Sequence, residues 1–337
     1  MRTAVVLLQC SMAAATRYAL KCKRLHYSGL SAFWLTEGFS CMATRPDHVL
    51  SDPKSGIRSH IGLQLFTVRA LLLQDFQGTL KNVATMGFSQ VEMFGFGSAM
   101  FIPDPLFGLE PRALKSFLND LGITVPTIQY SASAKDIPQV CATAKELGSK
   151  CIILGMAEEF LERGPTGPVV SAAKSAAQMR RLAEHLNEIG ALCRRNGIGF
   201  AYHNHHMEFA SWAGEGGYDI LLTQTDPSLV QMELDVGWAK VAGADGADYL
   251  TRYPGRFIAC HFKDFDVTRP RFEPSARAPI PEMTQLVAPG DGNLDFAAVL
   301  RLMDANGIAH GYIEIDLADD PLQASRRGLQ YLANLKY

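Results

Sequence analysis

Ionisable side chains in this 337-residue chain gather at the ends of apolar runs. Glu92 stands in QVEMF (90–94). The run IGFAYH (198–203) leads through Tyr202 and His203 into Asn204, His205, His206 and Glu208. VQMELD (230–235) brings Glu233 and Asp235. FIACHF (257–262) brings His261, with Lys263 and Asp264 behind it, and GYIEID (311–316) brings Glu314 and Asp316. A charged group taken into an apolar interior is costly unless it is paired or binds metal. Glu, Asp and His from several strands converging on one place form a ligand set for a divalent cation. Mixed carboxylate and imidazole ligation suits Mn²⁺, Zn²⁺, Fe²⁺ or Co²⁺ better than Ca²⁺. Alternate residues of a strand share a face, which groups Glu233 with Asp235 and Glu314 with Asp316. His261 stands level with Asp235 and Glu314 in the expected register. Plainer readings exist for the others. Glu92 can pair with Lys263, Lys263–Asp264 can be a solvated loop pair, and His206 an ordinary satisfied histidine.

These positions depend on a regular alternation that starts at Ile61. Eight short apolar runs read as strands: 61–68, 90–94, 124–129, 151–155, 198–203, 230–235, 257–262 and 311–316. Helical stretches over 75–86, 111–121, 134–147, 171–196 and 294–306 each run into a glycine, the usual stop signal. Strands alternating with helices imply a parallel sheet with helices outside. Eight units of this length predict an α/β fold, a closed (β/α)8 TIM barrel, whose catalytic groups sit at the C-terminal strand ends. A doubly wound open sheet is disfavoured, because no Gly-x-Gly-x-x-Gly follows the first strand. The segment 266–293 after strand seven reads as a long proline-rich binding loop ending in PGDGN.

Composition narrows the classes further. With 47% hydrophobic and 20% charged residues the chain can bury a sizeable core, which excludes a disordered or fibrous protein. The net charge of −2 argues against nucleic-acid binding. The first 57 residues carry seven Lys/Arg and three Asp/Glu, whereas the rest carries 25 and 31. Residues 1–57 therefore read as an irregular N-terminal extension and linker, and residues 58–337 as one barrel domain. The apolar stretch after Arg2 weakly resembles a secretory signal. A cytoplasmic location is favoured, with export the alternative if residues 1–20 act as a signal peptide. The seven cysteines contain no CxxC pair and do not look like a disulfide framework. No apolar run reaches the roughly 20 residues of a membrane span. The chain is compatible with a homo-oligomer.

From about residue 60 onward the stretches IGLQLFTVR, VEMFG, YHNHHMEF, TDPSLVQMELDVGWAKVAG, YPGRFIACHFKD, PGDGNLDF and YIEID resemble the xylose isomerase-like TIM-barrel superfamily. The resemblance is closest to its sugar phosphate isomerase/epimerase group. It implies one divalent metal at the barrel mouth, Mn favoured, held by Glu, Asp, His and Glu. By position, Asp235, His261 and Glu314 match the last three ligands. Strand five carries Tyr and His where the first Glu stands. Glu208 is the nearest carboxylate and is assigned there, with His203 or His205 as substitutes.

The resemblance further implies a sugar or keto-sugar substrate and proton transfer through an enediolate. Glu208 and Glu314 would form the acid/base pair of an isomerase or epimerase. Glu92, His203, His205 and Lys263 would position substrate oxygens. The alternative is a lyase, either a dehydratase or a 3-keto-glycoside-cleaving enzyme, in which the histidines of YHNHH serve the leaving group. A non-catalytic sugar-binding barrel is a further alternative. A DNA-repair endonuclease is disfavoured by the negative charge of residues 58–337.

Overall fold

The structure is a computed structural model that describes residues 61–97, 102–131, 134–164, 167–271 and 280–337. These residues belong to one compact unit, Pro46–Tyr337. The N-terminal extension with its signal-like stretch lies outside the described residues, as do residues 272–279 of the proline-rich loop.

Eight parallel strands close into a barrel. They are β1 (Ile61–Gln64), β2 (Val91–Phe96), β3 (Thr127–Tyr130), β4 (Cys151–Leu154), β5 (Gly199–His203), β6 (Gln231–Asp235), β7 (Phe257–Phe262) and β8 (His310–Ile313). Each pairs with its sequence neighbours, and β8 pairs back onto β1 through Ile61 and Gly311. Strand alternation sorts the core. On β4, Ile152 and Leu154 join the large apolar layer under the helices, while Cys151 and Ile153 join Ala201 in a separate cluster.

The expected helices form with minor changes at their ends. Asp75 caps Phe76–Thr85 by accepting the Gly78 amide at 2.9 Å. Gly148 and Gly307 end their helices in the left-handed conformation, at φ 94° and 67°. The 171–196 helix starts later than expected, at Ala176, where Ser175 accepts the Gln178 amide. Before it, Leu161–Gly164 and Gly167–Val170 form an antiparallel hairpin.

Three further differences shape the mouth. The first strand stops at Gln64 rather than running to 68, because the Gln64 side chain accepts the Phe66 amide at 3.1 Å and turns Leu65–Val68 into a 3₁₀ turn. β8 stops at Ile313, so Glu314 and Asp316 stand on the segment beyond it, where Thr67 Oγ1 accepts the Ile315 amide at 3.0 Å. The proline-rich loop contains structure where it is described. Its Leu286–Val287 pairs antiparallel with Asp264–Phe265. Ile280, Met283 and Leu286 pack there with Trp238.

Gly311 on β8 faces the Phe262 ring, which also packs edge-on against Phe296. A Cβ at 311 would overlap that ring. Gly311→Ala is therefore expected to destabilise the barrel by about 1–3 kcal/mol through overpacking, measured as a fall in the urea midpoint with an unchanged m-value.

Candidate active site

Strand register brings the ionisable groups to one level. Glu233 on β6 lies opposite His203 on β5, and Asp235 lies opposite His261 on β7. The top of β6 is fixed from β5: Asn204 Oδ1 accepts the Asp235 amide at 3.0 Å, and Asn204 Nδ2 donates to the Asp235 carbonyl at 3.2 Å. Asp235 Oδ1 then caps the following helix by accepting the Trp238 amide at 2.8 Å.

His203, Asp235, His261 and Glu314 offer donor atoms that all lie within 4.8 Å of one another, and all four residues are buried. The inner ring nitrogens are occupied. His203 Nδ1 lies 3.0 Å from Glu233 Oε2, and His261 Nε2 lies 2.8 Å from Glu92 Oε2 and 3.2 Å from Glu233 Oε2. The outer nitrogens face the mouth. His203 Nε2 is 3.8 Å and His261 Nδ1 4.0 Å from Asp235 Oδ2, and His261 Nδ1 is 2.7 Å from Glu314 Oε2. Asp235 Oδ2 is buried without a hydrogen-bond partner. That oxygen has an ion-pair contact with Lys263 Nζ at 3.4 Å but no hydrogen bond, and with two imidazole nitrogens and a second carboxylate around it the set fits a divalent cation. A tetrahedral ion with bonds of roughly 2.1 Å holds its donors about 3.4 Å apart.

Lys263 and Asp264 are both buried, so they are not a solvated pair. Lys263 Nζ reaches Asp316 at 2.8 Å, Glu314 at 3.0 Å and Asp235 at 3.4 Å. Glu92 does not pair with it; besides His261, Glu92 accepts from Gln64 at 2.6 Å and Thr127 at 2.5 Å. Asp264 accepts the amides of Gly290, Gly292 and Leu294 at 2.9, 3.0 and 2.9 Å, which ties PGDGN to the end of β7.

Glu208 is not brought into the set. Past β5 the chain turns through Met207–Phe209, and Glu208 folds back on its own segment. Its oxygens accept Tyr202 Oη at 2.5 Å and the His205 amide at 3.0 Å. His203 occupies the fourth position instead. His205 stacks edge-on against His203 at 5.0 Å, with its Nδ1 buried and unpartnered. His206 is half-buried and stacks on Trp238. Glu233, whose only sequence signal was the face it shares with Asp235, proves to touch both imidazoles.

Burial and charge divide the protons. Burial, helped by the Glu233 charge, raises Glu92 to about 8. Burial also opposes ionisation of Glu233 and Glu314. The His261 and His203 rings outweigh it at Glu233, and Lys263 with His261 outweighs it at Glu314, so both carboxyls lie below their usual range. Burial disfavours the Lys263 ammonium, but Asp316, Glu314 and Asp235 outweigh it and keep the cation. Burial holds His205 neutral.

Residues 80–335 match the profile of the xylose isomerase-like TIM barrel family. The chain belongs to that family. Within it, this barrel is 27% identical over 186 residues to an inosose dehydratase of Clostridium perfringens, a stretch that makes up 53% of this chain and 61% of that one. The match thus spans under two thirds of that relative. A sugar phosphate isomerase/epimerase from Parabacteroides distasonis has the same fold, with a TM-score of 0.64, 21% identity, and coverage of 85% of this chain and 99% of that one. The IolI protein, crystallised with a zinc atom, aligns with a TM-score of 0.58 at 14% identity, covering 81% and 95%. Among the described residues no helix is long and apolar enough to cross a membrane.

Glu208 generates a pH prediction. Burial raises its carboxyl from 4.5 to about 7, so between those values the folded chain holds a proton that the unfolded chain has lost. Its contribution to stability is complete below pH 4.5 and is lost as pH rises to about 7. Wild type should lose on the order of 3 kcal/mol more than Glu208→Gln across that window, as 1.36 kcal/mol accompanies each unit. Urea unfolding at pH 5 and pH 8 measures the difference; parallel curves for the two proteins would contradict it.

Proposed function

We propose that this barrel is a metal-dependent lyase that eliminates water or an alcohol from the carbon β to a carbonyl in a keto-sugar or keto-inositol. The observation that carries this reading is the replacement of one mouth carboxylate by an imidazole. Epimerisation through an enediolate uses two bases on opposite faces of the carbon, one to take the proton and one to return it. With Glu208 turned onto Tyr202, His203 in the set and Asp316 held on Lys263 at 2.8 Å, Glu314 is the carboxylate of the set left to act, since Asp235 caps its helix through Oδ1. Elimination needs one base.

A divalent metal held by His203, Asp235, His261 and Glu314 supplies Lewis acidity to the substrate's carbonyl and hydroxyl oxygens. Glu314, kept ionised by Lys263 at 3.0 Å, accepts the proton from the carbon beside the carbonyl. The C–H electron pair forms the enediolate, then drives out the oxygen one carbon further on. That oxygen takes up the proton that Glu314 accepted and departs as water or alcohol. Lys263 stays an ammonium and orients carboxylates and substrate oxygens without acting as a base. Two imidazoles and two carboxylates suit Mn, Fe, Co or Zn. The likeness to inosose dehydratases supports a cyclic keto-polyol substrate.

The isomerase/epimerase reading is the second, favoured by the likeness to the Parabacteroides distasonis protein. NMR of an inosose and of a 3-keto-glucoside incubated in D₂O with the Mn²⁺-loaded protein separates the two. Loss of water or alcohol supports the lyase. Carbon-bound deuterium with every group retained supports the isomerase. In either case Glu314→Gln should lower kcat by about 10²–10⁴-fold, the usual worth of a positioned base.

A further inference from the structure

We propose that Glu233 is a positioning residue that fixes both imidazole ligands of the mouth at once, in opposite tautomers. The inference rests on the donor set His203, Asp235, His261 and Glu314 holding a metal. Glu233 lies on β6 two residues before Asp235, on the same face, fully buried. Its Oε2 sits between the two rings, 3.0 Å from His203 Nδ1 and 3.2 Å from His261 Nε2. Gln129 Nε2 donates to the same oxygen at 3.0 Å and holds the carboxylate in place from β3.

A carboxylate only accepts hydrogen bonds, so each ring must present N–H to it. His203 therefore carries its proton on Nδ1 and His261 on Nε2. The lone pair is left on His203 Nε2, whereas His261 Nδ1, 2.7 Å from Glu314 Oε2, must shed its proton to ligate; these are the two nitrogens that flank Asp235 Oδ2. A carboxylate behind a ligating histidine fixes ring orientation and raises ligand basicity. Here one carboxylate serves two rings. Glu92 assists only His261.

Zinc affinity is measured by chelator competition on the full chain, with thermal unfolding of the metal-free proteins as the control for folding. Glu233→Gln is expected to raise the Kd for Zn²⁺ at least tenfold, and Glu92→Gln to raise it less. A Kd within threefold of wild type for Glu233→Gln, or a larger effect from Glu92→Gln, overturns the role of Glu233. A second measurement needs no variant. In the ¹⁵N-histidine spectrum of the zinc-loaded wild type, one ring is bound through Nε2 and another through Nδ1. Two rings bound through the same nitrogen overturn the proposal. Wild type that holds no zinc overturns the donor-set reading along with it, whereas tight zinc in both proteins overturns Glu233 alone.

Discussion

Glu92, Glu233, Asp235, Glu314 and Asp316 are taken out of water together, against the ammonium of Lys263 and the rings of His203 and His261. Charges buried at such density are costly unless each finds a partner. The barrel meets part of that demand with its own side chains. Lys263 answers three carboxylates, Glu92 keeps a proton, and Gln64, Thr127 and Gln129 donate to the inner carboxylates. Asp235 Oδ2 has an ion-pair contact with Lys263 at 3.4 Å but no hydrogen bond, at the point where two imidazole nitrogens and Glu314 converge. A divalent cation there would complete the balance.

The surrounding architecture keeps this arrangement in place. Asn204 clamps the backbone of Asp235, and Asp235 starts a helix with its other oxygen, so the donor oxygen has little freedom. Asp264 gathers the amides of 290–294 and binds the far end of the loop to the residue next to Lys263. The loop's described return packs Ile280, Met283 and Leu286 with Trp238, over whose ring the Lys263 ammonium stands at 5.4 Å. Elements distant in sequence thus stiffen one polar site, which suits chemistry that depends on placed groups.

Much of the fold is legible in the sequence, because period and punctuation agree. The eight apolar runs become the eight barrel strands, and the glycine-terminated helices lie between them. Asp235 and His261 are legible because each stands at the last turn of a strand whose register is set by alternation. Where local hydrogen bonds compete with periodicity, reading fails. Gln64 ends β1 early by capping its own turn. Glu208 looks like a mouth carboxylate in YHNHHMEF, yet a turn one residue after His206 folds it back onto Tyr202 and the His205 amide. Glu233 is visible as Asp235's face-mate, but its contacts with His203 and His261 come from neighbouring strands and need the register of β5, β6 and β7.

The central claim is that an imidazole of β5, and not the carboxylate that follows it, completes a divalent-metal site at this mouth. Elemental analysis of wild type, His203→Ala and Glu208→Gln after equilibration with Mn²⁺ or Zn²⁺ tests it directly. The account predicts about one ion per chain in wild type and in Glu208→Gln, and its loss from His203→Ala, as removal of one of four ligands implies. An ion retained by His203→Ala and lost from Glu208→Gln would contradict it.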